Sequence, residues 1–295
     1  MTTQLTTPTT LSSQVEKSFL QRHGKKIYMT ALSLFTLFWL LPIIWTLSTS
    51  LRPESQIQAN LAVFIPNPFT TDHWEYVLGS SKIPRWLFNS TFVAVIHTSL
   101  QLAICSVAAY AFARIEFKGR KIIYPIVLAG LMVPGQATFI PVYLMFSDLG
   151  LLNTYTALIL PGVASPFAIF LLVQFFKDIP IELEEAAFID GASRFTIFRK
   201  IILPLSVPVL TTLAIFTFMG NWNSYLWPLV TTTTDDVRTI TVGLKLIATS
   251  FGGYRDAYGQ IMAGAWVGAM PIILFFFVFQ RRILSGISIG SGIKS

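Results

Sequence analysis

The feature that most constrains this chain is a series of six apolar runs, each about twenty residues or longer and free of Asp, Glu, Lys and Arg. About twenty apolar residues in a helix, rising roughly 1.5 Å each, cross the hydrocarbon core of a bilayer. The predicted spans are Ile27–Leu51, Leu87–Phe112, Ile122–Ser147, Tyr155–Phe176, Leu203–Val230 and Met262–Gln280. The sequence therefore predicts an all-α membrane protein with six transmembrane helices.

Composition excludes the other common classes of chain. Of the 295 residues, 53% are hydrophobic and 12% are charged, whereas a soluble domain carries about 25% charged residues. The 25 Phe, 7 Trp and 9 Tyr give too much apolar surface for a disordered chain. The single cysteine, Cys105, excludes a disulfide scaffold. We expect a disordered, Thr- and Ser-rich cytoplasmic tail (1–26), a membrane domain (27–280) and a C-terminal cytoplasmic tail (281–295).

The basic residues predict the orientation of the spans. Fifteen of the 21 Lys and Arg residues fall in the two tails, the loop between spans two and three, and the loop between spans four and five. The other six fall in the loops on the opposite side. Because loops rich in Lys and Arg stay in the cytoplasm, both termini are predicted to be cytoplasmic.

The scarcity of charge within the spans bears on the type of membrane protein. Of the side chains that carry charge near neutral pH, only His97 lies within a span. A hydrogen-bonded, structural role is favoured for His97 over a role as a ligand. Proton-coupled transporters need buried ionisable groups, so the spans argue strongly against them. They argue less strongly against a sodium-coupled secondary transporter, because carbonyls and hydroxyls also bind sodium. A membrane-embedded enzyme would need paired acids or a His/Glu set at depth, which the spans lack.

Ten of the 16 prolines lie in or beside the spans. Each removes a backbone donor, which lipid tolerates only where a neighbouring helix, a side chain or a water-filled cavity meets the freed groups. For any single proline, an ordinary kink is the simpler interpretation. Together they indicate a bundle that surrounds a path and changes shape.

The most informative segment is the loop between spans four and five, residues 177–202. Pro180 suits the first turn of a helix, and the three glutamates after it lie at the positive end of the helix dipole. Gly191 suits the end of that helix, because glycine is free to adopt positive φ. A second helix should carry one apolar face, formed by Phe195, Phe198 and Ile202. This loop is thus predicted to be a helix-turn-helix on the cytoplasmic surface.

Nine positions in this loop and at the start of span five form a pattern with fixed spacing: Glu185, Ala186, Ala187, Asp190, Gly191, Ala192, Ile201, Leu203 and Pro204. The pattern resembles the EAA signature of permease subunits of bacterial ATP-binding-cassette importers. The resemblance implies that the first short helix is a coupling helix, which docks into a cleft on the ATP-hydrolysing subunit, with Phe195 also at the contact. The pattern alone leaves open an amphipathic helix packed on lipid headgroups.

Six further motifs lie along the chain: Phe88-Asn89-Ser90 and Ala109–Arg114 in span two, Pro134-x-Gln136 and Ile140-Pro141-x-Tyr143 in span three, Trp222-Asn223 in span five, and Gly286-Ile287-Ser288 in the tail. They resemble the carbohydrate-type permeases, similar to the second membrane subunit of the maltose importer. The resemblance implies the type I importer permease fold, in the bacterial inner membrane.

The same resemblance implies a set of partners. They are a second, non-identical permease subunit, two ATP-binding-cassette ATPase subunits, an extracytoplasmic solute-binding protein and membrane lipid. ATP and Mg are expected on the ATPase subunits, because this chain has no P-loop sequence. No cofactor, metal site, catalytic residue or nucleic acid is expected for the chain itself.

Polar and aromatic residues in spans three and five are the candidate solute contacts: Asn221, Trp222, Asn223, Tyr225, Trp227, Gln136 and Tyr143. Amide side chains exchange hydrogen bonds with hydroxyls, and aromatic faces cover the apolar side of a sugar ring. The absence of charge favours a neutral sugar or polyol, with glycerol-phosphate as the alternative within the family. Helix packing or gating is the competing role for each residue.

Two long loops are predicted on the outer side, 52–86 and 231–259. Loops that face a partner often carry recognition. Tyr254, Arg255 and Asp256 are the candidate contact with the binding protein, and a solvated connector is the alternative.

Overall fold

The computed structural model describes residues 9–250 and 257–290, and every regular element within them is a helix. The α-helices are α1 (Thr9–Ser50), α2 (Glu54–Ala59), α3 (Asp72–Glu75), α4 (Ile83–Arg114), α5 (Arg120–Ala129), α6 (Gly135–Asp148), α7 (Tyr155–Ile159), α8 (Pro166–Asp178), α9 (Glu182–Ile189), α10 (Arg194–Ile197), α11 (Leu203–Leu205), α12 (Val207–Trp222), α13 (Leu226–Thr231), α14 (Ile240–Ser250) and α15 (Tyr258–Gly290). Short turns continue α3, α5 and α10: π-helical Tyr76–Ser80, 3₁₀ Gly130–Met132 and π-helical Phe198–Ile202.

Three helices are long and apolar enough to cross a bilayer without a break. The candidate spans are Lys26–Ser50 in α1, Ile83–Arg114 in α4 and Tyr258–Gln280 in α15. They coincide with the first, second and sixth predicted spans. The described residues provide up to five such spans when each sharply bent helix pair is counted as one.

The other three predicted spans are interrupted, in keeping with the prolines that lie in or beside the spans. Span three bends by 101° between its halves, Arg120–Met132 and Gly135–Asp148. Span five bends by 74° between Arg194–Leu205 and Val207–Trp222. Span four consists of α7 and α8, separated by an irregular segment at 160–165.

Proline and glycine explain the interruptions. Pro134 has no N–H and holds the preceding Val133 in an extended conformation (φ −86°, ψ 114°). In span four, Gly162 has a φ of +84°, and Pro166 occupies the first turn of α8, where its missing donor costs nothing. Pro204 lies just before the bend of span five.

The two predicted tails differ from the structure where it describes them. Helix α1 begins at Thr9, so residues 9–26 are helical rather than disordered. No proline or glycine precedes Gly24 in that segment, so nothing in it stops the helix. Helix α15 likewise continues to Gly290, past the predicted end of span six. The remainder of both tails lies outside the described residues.

Helix α4 is the central helix of the bundle. In its most apolar window 44% of the residues are buried, against 17% in α15 and none in α1. It packs along α8 and α12. Near one end, Cys105 and Tyr110 of α4 form a core with Leu172 and Phe176 of α8. This core continues into the 177–202 loop.

The start of α15 is fixed by residues that follow α1. Both carboxylate oxygens of Glu54 accept backbone N–H bonds of 3.1 Å, one from Tyr258 and one from Gly259. An acidic group at a helix N-terminus also interacts favourably with the helix dipole. Arg52, 1% exposed, donates to the carbonyl oxygen of Val63 at 3.0 Å. The Glu54 bonds join α15 to the polypeptide that leaves α1, and the Arg52 bond holds that polypeptide together.

Two helical glycines allow a test of the packing of α14 against α4. A Cβ on Gly243 would lie 2.0 Å from the ring of Trp86, whereas a Cβ on Gly220 would meet open space. We expect Gly243→Ala to lower the free energy of unfolding by about 1–3 kcal/mol through overpacking. Gly220→Ala should raise it slightly, because alanine favours the helix. Thermal unfolding in detergent measures both, and equal melting temperatures would contradict this packing.

Candidate coupling and translocation site

Residues 182–192 form the short helix α9 and the turn that ends it. After α9, Gly191 has a φ of +80°. The N–H of Ala192 donates to the carbonyl of Ala187 at 2.9 Å, and that of Gly191 donates to the carbonyl of Phe188 at 3.0 Å. This is a Schellman motif, in which a positive-φ residue lets the chain turn back and satisfy the last carbonyls. The predicted helix end at Gly191 is confirmed.

The second predicted helix is present, but its apolar face is different. Helix α10 follows Ser193, whose hydroxyl accepts a hydrogen bond of 3.2 Å from the N–H of Thr196. Phe198 and Ile202 are buried, whereas Phe195 is 69% exposed. The π-helical turn changes the angular spacing between residues, so Phe195 does not share their face. The prediction of one common apolar face is wrong.

Acidic and apolar side chains share the exposed surface of this loop. The exposed residues of α9 and its turn include Leu183, Glu185, Ala186, Phe188, Ile189, Asp190 and Gly191, and Phe195 is exposed in α10. Glu182 and the basic residues Arg194, Arg199 and Lys200 are exposed as well. Ile189 is 88% exposed although it is fully apolar. Ala187 and Ala192 are half-buried, and they keep the surface between the larger side chains shallow. Grouped apolar side chains of this kind are typical of surfaces that a protein partner covers.

The buried side of α9 is fixed by an ion pair. Glu184 is 3% exposed, and its Oε1 lies 2.9 Å from Nε of Arg114, the last residue of α4. Nη2 of Arg114 also donates to the carbonyls of Phe176, at 2.6 Å, and Ile179, at the end of α8. The Tyr110 hydroxyl donates to Oε2 of Glu184 at 3.3 Å. One guanidinium therefore joins α4, α8 and α9.

The sequence pattern does not reveal this contact. In the sequence, Arg114 is one of several basic residues near the loop between spans two and three. Glu184 is one of three glutamates in the first turn of the predicted helix. The available signal is that Arg114 directly follows an apolar span, where a guanidinium needs carbonyl or carboxylate partners. Removing one partner of a buried pair leaves an uncompensated charge and costs about 3–5 kcal/mol.

Of the candidate solute contacts at the end of α12, Trp222 is buried and Asn223 is exposed. Trp222 is 3% exposed, and its indole N–H donates to the carbonyl of Gly268 in α15 at 3.1 Å. It therefore packs α12 against α15, the alternative role that the sequence leaves open. Asn223 is exposed, and its amide nitrogen donates to the carbonyl of Met219 at 2.9 Å. Its side-chain oxygen accepts no hydrogen bond within the described part of the chain.

An apolar cavity of about 530 Å³ lies between α6, the interruption of span four and Trp227. The rings of Phe139 and Phe146 meet Trp227 edge-on, with centroids 5.6 and 6.0 Å away. The Trp227 indole N–H donates to the carbonyl of Ala157 at 2.8 Å. Among the cavity's lining residues, only Thr138 carries a hydroxyl.

The remaining candidates are not brought together by the described structure. None of the following lines the cavity: Asn221, Asn223, Tyr225, Gln136 and Tyr143. Asn221 is half-buried and donates to the carbonyl of Thr217 on its own helix at 3.0 Å. Gln136 is exposed at the start of α6, while Tyr225 and Tyr143 are half-buried.

Both ring nitrogens of His97 have partners. Nδ1 lies 2.7 Å from the carbonyl oxygen of Ile159, and Nε2 lies 3.1 Å from the side-chain amide of Gln101. Because a carbonyl only accepts, Nδ1 carries a proton. Ile159 is the last residue of α7, so this bond satisfies a carbonyl that the interruption of span four frees. The structural interpretation of His97 is confirmed.

The predicted binding-protein contact, Tyr254, Arg255 and Asp256, lies outside the described residues. The polypeptide before it, 232–239, is held by Asn89, which is fully buried near the start of α4. The Asn89 amide donates to the carbonyls of Asp236 and Arg238 at 3.0 and 2.8 Å. Its oxygen accepts a bond of 2.7 Å from the Tyr155 hydroxyl. Asn89 therefore shapes the loop that leads to the predicted contact.

Comparison with known proteins identifies the class of protein. Residues 101–288 match the family described as binding-protein-dependent transport system inner membrane component. A crystal structure of a bacterial ABC transporter involved in import of the acidic polysaccharide alginate contains a chain with the same fold. The TM-score is 0.79 at 23% identity, covering 95% of this chain and 99% of that one. The match confirms the predicted type I importer permease fold, an all-α membrane architecture.

Relatives of higher identity cover nearly the same length. The arabinooligosaccharides transport permease AraQ of Halalkalibacterium halodurans is 34% identical, over 86% of this chain and 90% of that protein. The trehalose transport permease SugB of Mycobacterium tuberculosis is 36% identical, over 85% and 92%. The diacetylchitobiose uptake permease NgcG of Streptomyces coelicolor is 34% identical, over 88% and 86%. The chain therefore belongs to the family of binding-protein-dependent transport system inner membrane components, which are transporter permease subunits and not enzymes.

Proposed function

We propose that this chain is the permease subunit of an ATP-driven sugar importer and that α9 is its coupling helix. The observation that carries the proposal is the two-sided character of α9. One side exposes acidic and apolar residues around Glu185 and Gly191, and the other is fixed to α4 and α8 through Glu184. A segment that binds a moving partner and also moves the spans needs both sides. The polar face of a helix that lies on lipid headgroups is typically rich in Lys and Arg, whereas α9 exposes Glu185 and Asp190 beside its apolar residues.

The arrangement also supports the predicted partners. The chain has no P-loop sequence, so ATP and Mg are held by two ATPase subunits that contact the surface around α9. The exposed apolar side chains of α6, such as Ile140 and Leu144, fit a second, non-identical permease subunit that completes the path. A soluble binding protein delivers the solute on the opposite face. The assembly lies in the bacterial inner membrane with both termini of this chain in the cytoplasm.

For the solute we favour a saccharide. Three relatives described above are named for arabinooligosaccharides, trehalose and diacetylchitobiose, all of which are rich in hydroxyls. The side-chain oxygen of Asn223 and the amide of Gln136 are exposed groups that exchange hydrogen bonds with hydroxyls. The alternatives, glycerol-phosphate and an ion-coupled secondary transporter, are disfavoured by these relatives.

Reversing the charge of Glu185 tests the docking surface. We expect Glu185→Lys, in the importer reconstituted with its ATPase subunits, to lower binding-protein-stimulated ATP hydrolysis about tenfold or more, because a lysine meets a site built for an acid. Glu182→Lys is the matched control: it lies on the same helix, is also exposed and undergoes the same charge reversal. Equal losses in the two variants would assign the effect to helix electrostatics and contradict the docking role.

Gly191→Val examines the turn that presents this surface. Valine at a φ of +80° costs about 1–3 kcal/mol of backbone strain, and the space around Gly191 is open, so no clash contributes. We expect α9 to lose its Schellman end and the ATPase subunits to co-purify less with this variant. Undiminished co-purification would show that the turn plays no part in docking.

Asn223→Ala tests the solute path. Loss of one hydrogen bond should raise the saccharide concentration for half-maximal uptake about three- to tenfold without loss of assembly. Trehalose, lactose and an arabinooligosaccharide are the probes. Thr212→Ala is the control, because Thr212 is also on α12 and bonds a carbonyl four residues earlier, that of Pro208. Identical uptake curves for the two variants would contradict a solute contact and indicate that Asn223 has a packing role.

A further inference from the structure

The buried cluster of Arg114, Glu184 and Tyr110 has no part in the docking surface, yet it combines an ion pair with three hydrogen bonds. The Arg114 and Glu184 side chains are 9% and 4% exposed. Three polar side chains are thus withdrawn from water at the point where three helices meet. A buried ion pair is weak evidence for stability, since apolar residues of similar size often serve as well. We therefore interpret the ion pair as a contact that fixes the relative positions of α4, α8 and α9.

We propose that Arg114 and Glu184 are positioning residues that make α9 move as one body with the ends of α4 and α8. This inference rests on the proposed coupling role of α9. Arg114 holds α8 through the carbonyls of Phe176 and Ile179, and it holds α9 through the Glu184 carboxylate. The Tyr110 hydroxyl provides a second tie from α4 to the same carboxylate.

The packing around the cluster supports transmission by this route. The Tyr110 ring lies 5.1 Å from the Phe198 ring, and Ile197 and Ile202 are fully buried in the same core. Displacement of α9 therefore cannot occur without displacement of α4 and α8, unless the ion pair breaks. The covalent route from α9 to α12 offers no comparable rigidity, because it passes the 74° bend before Val207.

The proposal predicts a different defect from that of the docking variants. Glu184→Gln keeps the shape of the side chain and removes its charge, so α9 should still dock while its motion is no longer transmitted. Glu182→Gln is the matched control, an exposed glutamate on the same helix. Tyr110→Phe is a milder second variant, which keeps the ring packing on Phe198 and removes one bond to the carboxylate.

The experiment measures hydrogen exchange in the assembled importer with and without MgATP. In the wild type we expect MgATP to change exchange in α9 and in the ends of α4 and α8 together. In Glu184→Gln the α9 response should remain while the response at the ends of α4 and α8 falls about fivefold or more, the range of a typical coupling free energy. Glu182→Gln should match the wild type.

The outcomes separate the two proposals. An unchanged response at α4 and α8 in Glu184→Gln overturns the positioning role and leaves docking intact. A wild type in which α9 does not respond to MgATP overturns the proposed coupling function and this inference with it. If Glu184→Gln does not assemble, Tyr110→Phe is measured in the same way, and a response equal to that of the wild type overturns the positioning role.

Discussion

The packing of α4 along α8 is the contact on which the rest of the structure depends. Polar side chains of α4 fix other segments at three levels. Asn89 holds the 232–239 loop, His97 holds the end of α7, and Arg114 holds α8 and α9. The anchors nearer the start and the middle of the helix are an amide and an imidazole, and the ion pair stands at its last residue. That order follows from desolvation, because a charge costs most at the centre of a bilayer and least at its surface.

The interruptions of the spans are compatible with a membrane because the freed backbone groups find partners. His97 binds the carbonyl of Ile159, the thiol of Cys105 lies 3.5 Å from the carbonyl of Val163, and Trp227 donates to the carbonyl of Ala157. At the bend of span five, the buried hydroxyl of Ser206 donates to the carbonyl of Ile202 at 2.7 Å. The breaks in spans four and five are thus matched by polar side chains, as lipid requires.

Much of the fold could be predicted from the sequence, because the length of an apolar run is set by the thickness of the bilayer. The run does not determine whether its helix is continuous. Proline content indicated breaks, but the 101° bend of span three depends on how Pro134 packs, which composition does not encode.

The helix end at Gly191 was predictable because glycine alone adopts that φ freely. The exposure of Phe195 could not be predicted, because a π-helical turn leaves no periodic signal in the sequence. The pairing of Arg114 with Glu184 joins residues distant in sequence, so only the folded chain shows it.

The same packing gives an order in which parts of the chain respond to a force on α9. Under the proposed coupling role of α9, the charged cluster transmits this force first to α4 and α8. Helix α12, which carries Asn223 at its far end, packs along α4 and is separated from the coupling loop by a bend. A bend absorbs displacement, whereas a packed helix pair transmits it. In that proposal, span five is moved by its neighbour α4 rather than by the polypeptide that precedes it, although that polypeptide carries the sequence motif.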